Sequence, residues 1–234
     1  MQDPKRINDT PLSTRLQSKP LLAIVVPCYN EQTVLQETAK QLFNKIQNLI
    51  SNNIVSSESK IVFVDDGSTD NTWNVIESYY LNNPNNFAGI KLSRNRGHQN
   101  ALLGGLLSIK NSVDVVISID ADLQDDISVM AKMIDKYRNG DEIIYGVKSK
   151  RETDSFFKRT SAECFYKFMR FLGADIIYNH ADFRLMGKAA LSALAEYSEV
   201  NLFLRGIIPM LGFKSSTVFY EQKKRFAGFF TENA

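Results

Sequence analysis

DVVISIDADLQDD, residues 114–126, runs an apolar segment straight into a cluster of carboxylates. DVVISI, bounded by polar residues, has the length and β-branched content of a strand buried on both faces. Asp120 and Asp122, separated by one residue, then stand at its carboxyl end, where both can face one divalent cation. The same grammar recurs on either side. LLAIVV (21–26) is an apolar run ended by Pro27, after which Asn30 offers an N-cap. Val34, Leu35, Leu42, Phe43, Ile46 and Leu49 follow at helical spacing. KIVFV (60–64) ends in DDGSTD, and Trp73, Val75, Ile76 and Tyr79 predict the next helix. AGIKL (88–92) precedes RNRGHQNALLGGLLSIK, and EIIYGV (142–147) is a fifth strand.

Strands alternating with helices predict a mostly parallel sheet with helices on both faces. In such sheets ligands bind beyond the carboxyl ends of the strands. The polar clusters fall there: Asn30 and Glu31, Asp65 and Asp66, Asp120 and Asp122. Beyond Val147 the rhythm breaks. Lys148, Lys150, Arg151, Lys158, Arg159, Lys167 and Arg170 are interleaved with Phe156, Phe157, Phe165, Tyr166, Phe168 and Met169. A short strand at DFRLM (182–186), a helix, the apolar NLFLRGIIPMLGF with its single Arg205, and a strand at 214–221 complete the pattern.

Composition sets the outer limits. With 234 residues, 44% hydrophobic and 23% charged, the chain can build a sizeable core and is neither disordered nor fibrous. A formal net charge of +2 gives no global electrostatic case for nucleic acid. Cys28 and Cys164 make no disulfide framework, and a reducing compartment fits them. No uncharged apolar run approaches the ~18 residues that cross a bilayer, and the polar N-terminus is not a signal peptide. Residues 1–20 read as a flexible lead-in.

Several chemistries are weighed on these motifs. A solvated acidic loop that caps the next helix would account for the aspartates of 120–126. A capping turn accounts in part for Ser68, Thr69 and Asp70, but two adjacent aspartates exceed what a cap requires. A phosphoacceptor receiver domain needs about half this length. A dinucleotide-binding domain lacks its G-x-G-x-x-G after the first strand. Glycoside hydrolysis by paired carboxylates is disfavoured by the strand-end D-x-D.

PCYNE (27–31), VDDGSTDNT (64–72), SRNRGHQNAL (93–102), DADLQD (120–125) and ADFRLM (181–186) occur together in order, and this set resembles the family 2 glycosyltransferases. More narrowly it resembles their polyprenyl-phosphate hexosyltransferases, the bactoprenol glucosyltransferases and dolichol-phosphate mannose synthases. The resemblance spans about residues 20–228. It implies a GT-A fold, a three-layer α/β arrangement with a mostly parallel central sheet, as a catalytic domain over 21–228. Residues 148–172 would form a basic, aromatic interfacial segment and 229–234 a tail.

The resemblance also implies roles. Pro27, Tyr29, Asn30 and Glu31 would line the nucleotide pocket, with Asp66 holding base or ribose and Asp65 there or bracing the loop. Arg94 and Gly97 would shape the floor. Asp120, Asp122 and Gln124 would hold Mg²⁺ or Mn²⁺ with the donor diphosphate. Asp182 falls where the family places the residue beside the acceptor, often named the catalytic base. A lipid phosphate is already anionic, so an orienting role suits it better, and a local Asp182–Arg184 pair that holds the strand is the plainer alternative. Lys148, Arg151, Arg159, Arg184 and Arg205 are candidates for the acceptor phosphate. The basic stretch would lie against anionic lipid, or form a solvated helix face. His98, at a helix start, reads as a packing or capping residue, and His180 lacks the partner spacing of a zinc site.

The implied reaction is inverting transfer of a hexose from a nucleotide-diphosphate sugar to a polyprenyl phosphate, UDP-glucose and undecaprenyl phosphate being favoured. GDP-mannose, UDP-N-acetylglucosamine and modified arabinose donors stay open, as does a homo-oligomeric state. The competing functions are a soluble transferase acting on a glycan or protein hydroxyl, and a non-catalytic nucleotide-sugar-binding module. KKRFAG (223–228) matches the start of a stretch that in the family leads toward membrane helices. The expected setting is therefore the cytoplasmic face of a membrane, with those helices missing after Gly228.

Overall fold

The computed structural model describes residues 12–149, 180–197 and 203–222. The elements, in order, are α1 (Leu12–Gln17), β1 (Leu22–Cys28), α2 (Leu35–Ser51), β2 (Lys60–Asp65), α3 (Thr72–Asn82), β3 (Phe87–Lys91), α4 (His98–Ile109) and β4 (Val115–Ser118). A 3₁₀ turn at Ile127–Val129 leads into α5 (Met130–Arg138). Then come β5 (Ile143–Lys148), β6 (His180–Gly187), α6 (Lys188–Leu194), α7 (Leu204–Met210) and β7 (Ser215–Tyr220).

The strands form one seven-stranded sheet in the order β3-β2-β1-β4-β6-β5-β7. Parallel pairing links β3, β2, β1 and β4, and again β5 and β7. Among the described residues only β6 runs antiparallel, between β4 and β5. The middle of the sheet is covered on both sides, so β1 is buried along all seven residues and its alternate side chains feed two cores. Leu22, Ile24 and Val26 pack with Leu42 and Ile46 of α2 and Met133 and Ile134 of α5. Ala23 and Val25 pack with Leu102 and Leu106 of α4 and with α6 and α7. The result is the three-layer, mostly parallel α/β arrangement expected from the alternating motifs. Burial of each such aliphatic side chain stabilises the fold by about 1.5–3 kcal/mol.

Two local expectations need correction. Pro27 does not end β1; it continues the strand in register with Val64 of β2. The alternation of the ladder turns Pro27 toward the β4 side, and β4 pairs with β1 only as far as Val25. The missing N–H therefore falls where the ladder has already opened. Asn30 does not cap α2, whose N-cap is Val34. Asn30 adopts φ 55°, a left-handed conformation asparagine tolerates, and its Oδ1 accepts from the Thr69 backbone N–H at 2.9 Å. Ser68 Oγ, Asp70 Oδ2 and Thr72 Oγ1 accept from the backbone of Asn30, Gln32 and Glu31. The DGSTDNT turn thus clasps the loop after β1, and within it Asp70 Oδ1 receives the Thr72 N–H.

Within the stretch read as a lead-in, α1 docks through Arg15, 9% exposed. Its Nη1 lies 2.9 Å from Glu142 Oε2, and its guanidinium lies 4.4 Å from the centre of the Tyr137 ring.

Candidate active site

The carboxyl ends of β1, β2 and β4 open onto a cleft of about 410 Å³, lined among others by Pro27, Tyr29, Glu31, Asp66, Gly97, His98, Gln99, Asp120, Asp122, Asp182 and Arg205. Each wall follows from a strand end. Asp66, 2% exposed, accepts the backbone N–H groups of Arg96 at 2.7 Å and Gly97 at 2.9 Å. It therefore pins the loop before α4, which Gly97 (φ 87°) turns into the helix. Gly67 faces the same loop so closely that a Cβ would sit 2.4 Å from the Arg94 carbonyl carbon. Arg94 reaches the site through this backbone packing, and its own position is exposed. Asp65 is buried and braces its turn, with Oδ1 accepting from the Ser68 N–H at 3.2 Å. Cys28 is buried below, its thiol donating to the Val26 carbonyl.

The antiparallel β6 supplies the opposite wall. Ser118 pairs with Arg184, and the same register sets Asp182 beside the loop that starts at Asp120. Asp182, 2% exposed, is the hub of this wall. Its Oδ1 receives Arg184 Nη2. Its Oδ2 receives Gln99 Nε2 at 3.1 Å and Arg205 Nη2 at 3.1 Å, with His98 Nε2 at 3.3 Å. Burial pushes this carboxyl upward, but hydrogen bonds from His98 and Arg205 and the charge of Arg184 outweigh it and hold it well below the usual carboxylate range. A carboxylate held so low is a weak proton acceptor. Arg184 is 1% exposed and bonded to Asp182. It forms the local strand-holding pair with Asp182.

His98 is more than a packing or capping residue, and Gln99, which the motif reading did not single out, joins it. His98 Nε2 bridges Asp182 and Asp120, 3.4 Å from the latter. The hydrogen bond to Asp182 raises the His98 pKa. Gln99 links Asp182 to the start of α7 by accepting the Leu204 N–H. The motif RNRGHQNAL held both residues, but only the pairing of β4 with β6, more than sixty residues apart in sequence, shows what they touch.

Burial, with the nearby carboxylates of Asp125, Asp182 and Asp122, pushes the Asp120 carboxyl up to about 6 against the opposing pull of His98. Asp120 Oδ1 accepts no hydrogen bond. Ligand atoms of His98, Asp120 and Asp182 lie within 4.8 Å of one another, and Asp122 lines the same cleft. A divalent cation fits this crowded set of oxygens, since it would relieve the repulsion. The cluster of ligand atoms is thus His98, Asp120 and Asp182, with Asp122 on the same wall. Gln124 is bonded on both sides. Its backbone N–H and Nε2 donate to the two oxygens of Asp122 at 3.1 and 2.8 Å, and its Oε1 receives Gln222. Lys148 Nζ lies 3.9 Å from Asp125 Oδ1, at the end of the acidic loop. Arg205 reaches the cleft with 44% of its side chain exposed. Arg151, Arg159 and most of the basic aromatic stretch lie outside the described residues, as does 223–228. Among the described residues no helix is long and apolar enough to cross a membrane.

Similar proteins agree with this geometry. The model of glycosyl transferase family 2 matches residues 23–195. A Bacillus subtilis (strain 168) protein named uncharacterized glycosyltransferase YkoT is 56% identical over 212 residues, covering 91% of this chain and 63% of that protein. The prophage bactoprenol glucosyl transferase homolog of Escherichia coli (strain K12) is 35% identical over 208 residues, covering 88% and 65%. The chain thus spans less than two thirds of the length of these relatives. Among solved structures, a mannosyltransferase from Pyrobaculum calidifontis in complex with GDP-Man and Mn²⁺ superposes with TM-score 0.58 at 18% identity, over 87% of this chain and 56% of that one. Glucosyl-3-phosphoglycerate synthase from Mycobacterium tuberculosis, in complex with Mn²⁺, UDP and phosphoglyceric acid, gives 0.57 at 12% identity, over 96% and 78%. The shared architecture is the GT-A fold. On the family match over most of its length, the chain belongs to glycosyl transferase family 2.

Proposed function

We propose that this domain transfers a hexose, glucose by preference, from a nucleotide-diphosphate sugar to a polyprenyl phosphate with inversion. The observation that carries the reading is a cleft lined by the acidic pair Asp120 and Asp122 and by the half-exposed cation Arg205. The relatives named bactoprenol glucosyl transferase support the acceptor and the sugar. Pro27, Tyr29, Glu31 and the loop fixed by Asp66 would receive the nucleotide. Asp120 and Asp122 would hold Mg²⁺ or Mn²⁺, which when bound neutralises charge on the leaving diphosphate.

An acceptor phosphate oxygen attacks the anomeric carbon as the bond from that carbon to the donor diphosphate breaks. The nucleophile is already anionic, so no proton must be taken from it. Asp182, held ionised by its cationic partners, therefore orients Arg205 and His98 rather than acting as a base. A membrane setting at the cytoplasmic face, with 21–228 as the catalytic domain, goes with a lipid acceptor.

The test is transfer from radiolabelled UDP-glucose to undecaprenyl phosphate in detergent, beside a soluble glycan and a peptide acceptor, with and without EDTA. Label in the lipid, abolished by EDTA and restored by Mn²⁺ or Mg²⁺, is expected. Transfer to the soluble acceptors alone, or turnover indifferent to EDTA, would overturn the acceptor or the metal assignment respectively.

A further inference from the structure

Residues 120–126 after β4 are held from an unexpected quarter, the far-edge strand β7 and its exit. Leu123 sits at φ 54°, a left-handed conformation unfavourable for a leucine that persists only where the surroundings impose it. Its side chain and that of Ala121 are buried, at 6% and 4% exposure. The two residues that follow are gripped individually. Gln222 Nε2 donates to Gln124 Oε1, and Tyr220 O–H donates to Asp125 Oδ1. Tyr220 is itself fixed, 3% exposed, with its ring edge-on to Phe183 at 5.4 Å. Both rings crowd Gly146, where a Cβ would meet Phe183 at 2.6 Å and Tyr220 at 3.1 Å.

The direction of these hydrogen bonds matters. A glutamine amide has one oxygen and one NH₂. Asp122 only accepts, so the Gln124 oxygen is left to the NH₂ of Gln222 and its own NH₂ turns toward Asp122. There it donates at 2.8 Å, alongside its backbone N–H at 3.1 Å. We infer that Gln222 is a positioning residue for Asp122: by donating to the Gln124 oxygen it holds that amide in the polarity Asp122 needs and so steadies the carboxylate in the cleft. Tyr220 holds the same loop through Asp125. The course of the chain as it leaves β7 is thereby tied to the geometry of the D-x-D pair. The inference rests on the reading of Asp122 as a metal-holding residue.

Gln222→Glu separates orientation from packing. The new carboxylate is isosteric but only accepts, so it demands an NH₂ from Gln124 and turns the Gln124 oxygen toward Asp122, against a like charge. Gln222→Ala removes the constraint altogether. Mn²⁺ binding is read by the electron paramagnetic resonance of the free ion, with no substrate present, and melting temperature is measured without metal. Indirect support of a metal ligand is typically worth 10–100-fold in affinity. We expect both variants to weaken Mn²⁺ binding at least tenfold, Gln222→Glu no less than Gln222→Ala, with metal-free melting within about 2 °C of the parent. Wild-type Mn²⁺ affinity in both variants, with Asp122→Asn losing it, overturns the inference and leaves the metal reading standing. Unchanged Mn²⁺ affinity in Asp122→Asn overturns both. Weakening in Gln222→Ala alone would indicate packing and also overturn the inference.

Discussion

Asparagine in place of Asp66 asks whether that residue holds the site together or holds the ligand. In the fold, its two carboxylate oxygens receive the N–H groups of Arg96 and Gly97 at 2.7 and 2.9 Å. The substitution keeps the shape and one oxygen but places an NH₂ against the other backbone donor. A hydrogen bond to a charged acceptor contributes about 1.5–3 kcal/mol, and stranding its buried donor costs about 1–3 kcal/mol. The Arg96 and Gly97 positions are exposed, so water can rescue the freed N–H, and the lower part of the range applies. A loss of about 2 kcal/mol is expected. For a chain of this size that is roughly 4–8 °C in Tm. Urea unfolding followed by circular dichroism gives the free energy directly, and UDP binding by calorimetry is measured on the same samples. Both should fall together, because the freed loop carries Gly97 and His98 of the cleft wall. A urea midpoint equal to that of the parent, with UDP binding lost, would refute the anchoring role and make Asp66 a direct contact to the nucleotide.

Two further expectations follow from the packing and the charges. Gly105 lies where α4 crosses the sheet, and a Cβ there would sit 2.6 Å from Val64 Cγ2 and 2.9 Å from Val25 Cγ1. Gly105→Ala should therefore destabilise by about 1–3 kcal/mol despite the better helix propensity of alanine, and an unchanged or raised Tm would contradict that close approach. Asp182 has its carboxyl held below the ordinary value, so its ionised form contributes stability above the unfolded pKa, about 3.9, and that contribution drains away as pH falls below it. Asp182→Asn should lower the neutral-pH stability by about 3–5 kcal/mol, because Arg184 is left buried without its counter-charge, and should flatten the acid limb of the stability curve. If the variant folds, its pH–rate profile tests the orienting role; activity that returns at high pH would instead identify Asp182 as a base.

The parallel half of the molecule was open to sequence reading because its physics is local. A strand buried on both faces must be a continuous apolar run, and LAIVV, IVFV and VVIS are such runs. Carboxylates at their ends could only lie on the binding edge. Pro27 and Asn30 were misassigned for the opposite reason. Their ordinary meanings, terminator and cap, gave way to an open ladder edge and to the backbone of Thr69, neither visible from neighbouring residues. The partners of His98, Gln99 and Gln222 depend on β6 running antiparallel beside β4 and on β7 docking beside β5. Strand order of that kind is set by contacts between distant segments, and no periodicity encodes it.

The register of β6 against β4 carries a consequence for how such a chain can vary. Ser118 faces Arg184, and side chains along a strand alternate between faces. A slip of one residue would put the phenyl ring of Phe183 where the carboxylate of Asp182 stands, and would drive the charged pair into the hydrocarbon of the opposite core. Insertions in the connections leave this parity untouched, whereas one residue gained or lost inside β6 would remove chemistry and stability in a single event. Length changes in descendants of this sequence should therefore gather in its loops and avoid 182–187 altogether.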